Sequence, residues 1–146
     1  MSFNGQPVAT TVTHISQLKV SDGKSVQVTV PAETGVVAGN FYVIDGFFGA
    51  VLKTVKAEDN TAGTKVALQL EPCEYITDQI LVSKTFAMGA ELYYNKSTKK
   101  FTDEAAAGLL LVGKVSAPKD GANTIQFIRY PQVTEVQAAE VSGGEG

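Results

Sequence analysis

Ser25-Val26-Gln27-Val28-Thr29-Val30 is the stretch whose reading decides the fold. Val26, Val28 and Val30 recur at every second position, with Gln27 and Thr29 between them. A period of two places the three valines on one side of an extended chain, whereas a helix would scatter them around its circumference. The spacing predicts a half-buried β-strand. Pro31 follows, and because it lacks the N–H that a ladder needs, the strand is expected to end there.

Strand-like segments continue toward the C-terminus, broken by Gly, Asn, Asp and Pro at intervals of about 8 to 12 residues. NFYVID (40–45) and FFGAVLKTVK (47–56) are separated only by Gly46, which reads as a tight turn or bulge. Residues 65–70 alternate again, with Val66, Leu68 and Leu70 expected inward. Residues 91–95 and 99–102 flank the polar turn 96–98 as a hairpin. LLLVGKV (109–115) is almost continuously apolar and suits a central strand covered on both faces. TIQFIRY (124–130) follows the turn KDGAN and is expected to close at Pro131. Helix signals are thin: DEAAA (103–107) opens with acids, but Gly108 limits it to about one turn. The expected fold is therefore all-β, a small β-barrel or jelly-roll-like sandwich of about eight to ten short antiparallel strands. No period of about 20 to 50 residues points to a solenoid or propeller.

The chain has 146 residues, enough for one domain with its own core. Residues 25–131 form that expected domain. Residues 1–24, with scattered apolar positions at Val8, Val12, Ile15, Leu18 and Val20, read as an arm or an edge strand, and 132–146 as a flexible tail. The formal charge of −3 does not supply the basic face that nucleic acid requires. No apolar run reaches the roughly 20 residues that span a bilayer, so no membrane partner is expected. The N-terminus lacks the basic start and apolar stretch of a secretory leader, so synthesis in a cytoplasm is expected.

Catalytic patterns fail one by one. His14 is the only histidine, so one chain cannot supply a two-histidine metal site, and no Gly-x-Ser-x-Gly turn accompanies it. A solvent-facing strand residue is the better reading. Cys73 has no second cysteine to pair with, and Glu71, Pro72 and Glu74 around it are not the basic surroundings of a reactive thiolate; a buried structural role is expected. Gly23-Lys24-Ser25 echoes a phosphate loop, yet Leu18 stands where that motif needs glycine, and a strand follows instead of a helix. Asp22-Gly23 suits a type I′ hairpin turn better. Glu71, Glu74 and Asp78 could in principle form an acid–base pair, but they read as loop solvation, and the chain has no tryptophan for a sugar platform. Asn95-Lys96-Ser97 matches a glycosylation tripeptide and marks an exposed turn. The lysines beside it, Lys96, Lys99 and Lys100, read as a solvated hairpin tip before they read as a contact for an acidic partner. No enzyme activity, metal or cofactor is expected. Phe47-Phe48 is the pair of interest: adjacent strand residues point to opposite faces, so one of the two should leave the core and could mark an interface.

The order of these segments resembles a known family. Val36-Val37-Ala38-Gly39-Asn40-Phe41-Tyr42-Val43-Ile44-Asp45-Gly46-Phe47-Phe48-Gly49-Ala50 is similar to the opening strands and glycines of the small decoration (cement) proteins of tailed-phage capsids. Met88-Gly89-Ala90-Glu91-Leu92-Tyr93-Tyr94-Asn95, Leu111-Val112-Gly113-Lys114-Val115 and the closing segment 121–129 follow in the family's order. The likeness covers about residues 26–131, with Asn40 where aspartate is usual and Tyr94 where tryptophan is common. It implies a structural virion protein on the outer surface of a phage head, made in the host bacterial cytoplasm. Its partner would be the major capsid protein, and it would act as a homotrimer that clamps neighbouring capsid subunits. The contact residues expected on that reading are Val12, Ile15, Leu18, Phe47 and Phe48. The competing reading is a virion fibre or tail module that recognises a host-surface glycan.

Overall fold

A computed structural model describes residues 18–138. The strand at Ser25–Val30 (β1) forms as its alternation requires, with Val28 and Val30 buried. Its partner is distant in sequence: β1 pairs antiparallel with β4 (Thr64–Gln69), matching Val28 to Val66 and Val26 to Leu68. Asp22-Gly23 is not a type I′ hairpin turn. Only Gly23 has a positive φ, its N–H is accepted by Ser21 Oγ at 3.0 Å, and no strand precedes it among the described residues.

Between them, β2 (Phe41–Ile44) and β3 (Phe47–Val51) form a hairpin through Asp45 and Gly46, whose φ values of 52° and 84° are those of a type I′ turn. The first sheet runs β1-β4-β3-β2. It curls until its two edges approach, and the Asp45 carboxylate accepts the Thr29 N–H of β1 at 2.9 Å. The strand expected to continue to residue 56 stops at Val51. Beyond it, Val55 forms an isolated bridge with Val36, and a single 3-10 turn covers Ala57–Asp59.

The second sheet has the order β5-β9-β8-β6-β7, built from β5 (Glu74–Thr77), β6 (Glu91–Asn95), β7 (Lys100–Thr102), β8 (Leu110–Ala117) and β9 (Ile125–Glu135). The hairpin β6–β7 stands where the polar turn placed it, with Lys99 at φ 60° closing the turn. Pro131 does not end β9. The register shifts so that Val112 alone lies between the paired positions on β8 while residues 130–133 bulge out on β9, and the proline falls where no ladder bond is required. No helix forms over Asp103 to Ala107: Asp103 and Glu104 bend, with Asp103 held by the Phe86 N–H and the Glu104 N–H by Thr102 Oγ1, and Ala107-Gly108 is a turn closed by the Leu109 N–H on the Ala106 carbonyl.

Two apolar clusters result. One lies inside the first sheet's curl: Val28, Val30, Val36, Tyr42, Ile44, Val51, Val55, Val66 and Leu68. The other lies between the sheets and is aromatic, with Phe41, Phe48, Tyr75, Tyr94, Phe101 and Phe127 at centroid separations of 5.0 to 6.2 Å. The β2–β3 hairpin serves both, sending Phe41 and Phe48 to one and Tyr42, Ile44 and Val51 to the other. The strands covered on both faces are thus β2 and β3. Central β8, expected in that role, keeps Lys114 exposed. The architecture is all-β, two curled antiparallel sheets sharing one hairpin as a common wall.

Candidate docking surface

The second sheet buries one face against the aromatic core, so its other face holds whatever the pleat sends outward. On β9 the inward residues are Ile125, Phe127 and Arg129; Gln126, Ile128 and Tyr130 point away. Ile128 is 50% exposed, and Ile76 on the neighbouring strand β5 is 63% exposed. Glu74 pairs with Ile128 and Ile76 with Gln126, so the two isoleucines are diagonal neighbours on one face. Across the sheet the same row continues through Lys114 to Glu91.

Hydrogen bonds fix the border of this apolar patch. Ser116 Oγ donates to Glu74 Oε2 at 2.6 Å, and Tyr130 Oη donates to Glu91 Oε1 at 2.7 Å. The bond to Glu91, followed by partial burial, pushes the Tyr130 phenol up to about 12. Exposed aliphatic side chains beside held polar pairs suit a docking face, because the apolar atoms gain by leaving water and the polar groups set register.

Phe47 and Phe48 part as adjacent strand residues must. Phe47 is 43% exposed at the start of β3, while Phe48 is 4% exposed, stacked on Phe41 at 5.5 Å with the Arg129 guanidinium 5.2 Å from its ring centre. Leu18 is 66% exposed. Val12, Ile15 and His14 lie outside the described residues. Ile76 and Ile128 were not singled out by the sequence reading. Their signal was available: in TIQFIRY the inward set Ile125, Phe127 and Arg129 leaves an isoleucine on the outward face.

Arg129 is the buried cation of the core. Its Nη1 donates to the Phe48 carbonyl at 2.5 Å, tying β9 to β3, while Nε has no acceptor among the described residues. Desolvation lowers its pKa, offset by nearby Tyr75 and Cys73. Cys73 is half-buried, not fully buried as expected, and its carbonyl accepts the Arg129 N–H. The three acids are held separately. Glu74 accepts from Ser116, Glu71 lies 3.8 Å from Lys24, and Asp78 lines a shallow depression with Asn40 and Thr124. Among the described residues no three His, Cys, Asp or Glu side chains gather as a metal site, and no helix is long and apolar enough to cross a membrane.

Residues 20–131 match the family described as phage cement protein. No curated protein and no solved structure matches the chain.

Proposed function

The chain belongs to the phage cement protein family, and from that premise we propose that it binds the outer surface of a phage head and clamps neighbouring capsid subunits. Family membership carries a structural, capsid-associated role; the clamping and the partner are the proposal. The observation that carries it is the match over residues 20–131, which runs from ahead of β1 into β9 and so takes in both sheets. The outward face of the second sheet supports it, since exposed Ile76 and Ile128 beside two hydrogen-bonded polar pairs suit protein contact.

The partner is the major capsid protein, and the working unit is a homotrimer at local three-fold positions. A protein repeated over a symmetric lattice gains avidity from many modest contacts, so no single deep pocket is required. Phe47 and Leu18 join the contact surface on this reading, and Val12 and Ile15 extend it along the arm. The test is co-sedimentation with expanded heads of the phage that encodes the protein. Saturable pelleting with the heads supports the proposal, and protein left in the supernatant at all concentrations defeats it.

A further inference from the structure

Two of the exposed lysines at the β6–β7 hairpin tip also border a cleft. Lys96 and Lys99 form one lip of a cleft of about 320 Å³ whose opposite wall is the curled first sheet. Exposed Pro31 and half-buried Val43 line its apolar part, above the buried Val36, Tyr42 and Ile44. Among the described residues no acidic one lines it. The nearest carboxylate partner of Lys96 is Glu135, at 4.0 Å with both side chains about half exposed, which is a weak and screened contact. Lys99 has no ion pair among the described residues. Tyr42 Oη accepts the Val37 N–H at 2.9 Å, and its own proton has no acceptor among the described residues.

We infer that this cleft holds an acidic peptide segment of the capsid shell, with an apolar side chain against Pro31 and Val43 and a neighbouring carboxylate between Lys96 and Lys99. The inference rests on the capsid-binding reading and specifies one of its contacts. Three features select that occupant. The apolar wall rewards burial of an aliphatic or aromatic side chain. Two ammonium groups on the rim favour an anion, in a chain whose net charge is −3. The cleft also lies between the first sheet and the β6–β7 hairpin, so a segment seated there bridges the two halves of the fold.

The test compares head binding by wild-type protein, K96E/K99E and K53E/K56E. The last pair changes net charge equally at the Lys53–Lys56 depression, which shares no lining residue with the cleft. At low salt K96E/K99E should bind at least about tenfold more weakly, and K53E/K56E within about threefold of wild type. Part of the wild-type binding should persist at high salt, reflecting the apolar wall. Equal binding by K96E/K99E and wild type, or equal weakening by both pairs, overturns the cleft inference and leaves the capsid reading standing. Absence of wild-type binding overturns both.

Discussion

Gln79 pairs with Phe41 as a neighbouring strand would. Its side-chain Oε1 accepts the Phe41 N–H at 2.6 Å, and its Nε2 donates to the Phe41 carbonyl at 2.9 Å. The same Nε2 donates to the Lys99 carbonyl at 2.9 Å, and Tyr94 Oη adds a second bond to the Phe41 carbonyl. One buried amide thus satisfies the otherwise unpaired edge of β2 at Phe41 and fastens it to the β6–β7 hairpin. Without it, groups on a closed edge have no water to replace the lost partner.

Gln79→Ala should therefore destabilise the fold by about 3 kcal/mol, since it leaves at least two buried backbone groups short of a partner. Chemical denaturation checks this; a change below about 0.5 kcal/mol would mean that the edge repairs itself.

Glycine at two positions is required by close approach. A Cβ on Gly113 would stand 2.3 Å from the Ile128 carbonyl oxygen, and one on Gly49 2.3 Å from that of Gln69. Both obstacles are backbone, so relief requires strand displacement. Gly113→Ala and Gly49→Ala should each cost at least about 2 kcal/mol, whereas Gly121→Ala, with nothing within 4 Å, should stay within about 0.5 kcal/mol of wild type. Thermal unfolding of the three variants separates them.

Alkali should weaken the protein before it breaks any backbone bond. The phenols of Tyr94 and Tyr75 are pushed up chiefly by burial, and that of Tyr130 to about 12 chiefly by Glu91, from an ordinary value of 10.0. The folded state thus holds protons that the unfolded state releases near pH 10. The stabilisation is fully present below that pH and is lost as pH rises through the folded-state values. Denaturation midpoints should be flat up to about pH 9 and fall steadily above pH 10, with Tyr94→Phe blunting the fall. Midpoints that hold level to pH 12 would contradict the assignment.

Ile76→Glu and Ile128→Glu place a charge on the outward face without touching the core. Each should leave stability within about 0.5 kcal/mol of wild type yet weaken head binding by about tenfold or more, because a desolvated carboxylate replaces an apolar contact. Calorimetric unfolding measured beside co-sedimentation distinguishes lost contact from lost fold.

Local chemistry was legible in the sequence, and long-range pairing was not. The alternation at Ser25–Val30, the turn at Gly46 and the 91–102 hairpin all follow from a few adjacent residues, and the structure has them in place, with Asp45 joining Gly46 in the turn. That β1 joins β4, across the intervening hairpin, depends on which apolar faces meet, and the period of a strand does not encode its partner. The same holds for β2 and β3. Reading FYVI and FFGAV as two-sided strands requires knowing that a second sheet packs behind the first. Pro131 misleads because a bulge removes the constraint that normally stops a strand there. Gln79 carries no local signal at all, since its partners are Phe41 and Lys99, far away in sequence. Of the surface, Phe47 was readable from its neighbour Phe48. Ile76 and Ile128 form a patch only through the β5–β9 register.

The most direct test of the capsid-stabilising role is the thermal disruption temperature of expanded heads lacking the protein, measured as purified protein is added. The expected result is an upward shift that grows with concentration and saturates when the binding sites are filled. A disruption temperature unchanged at saturating protein would contradict it.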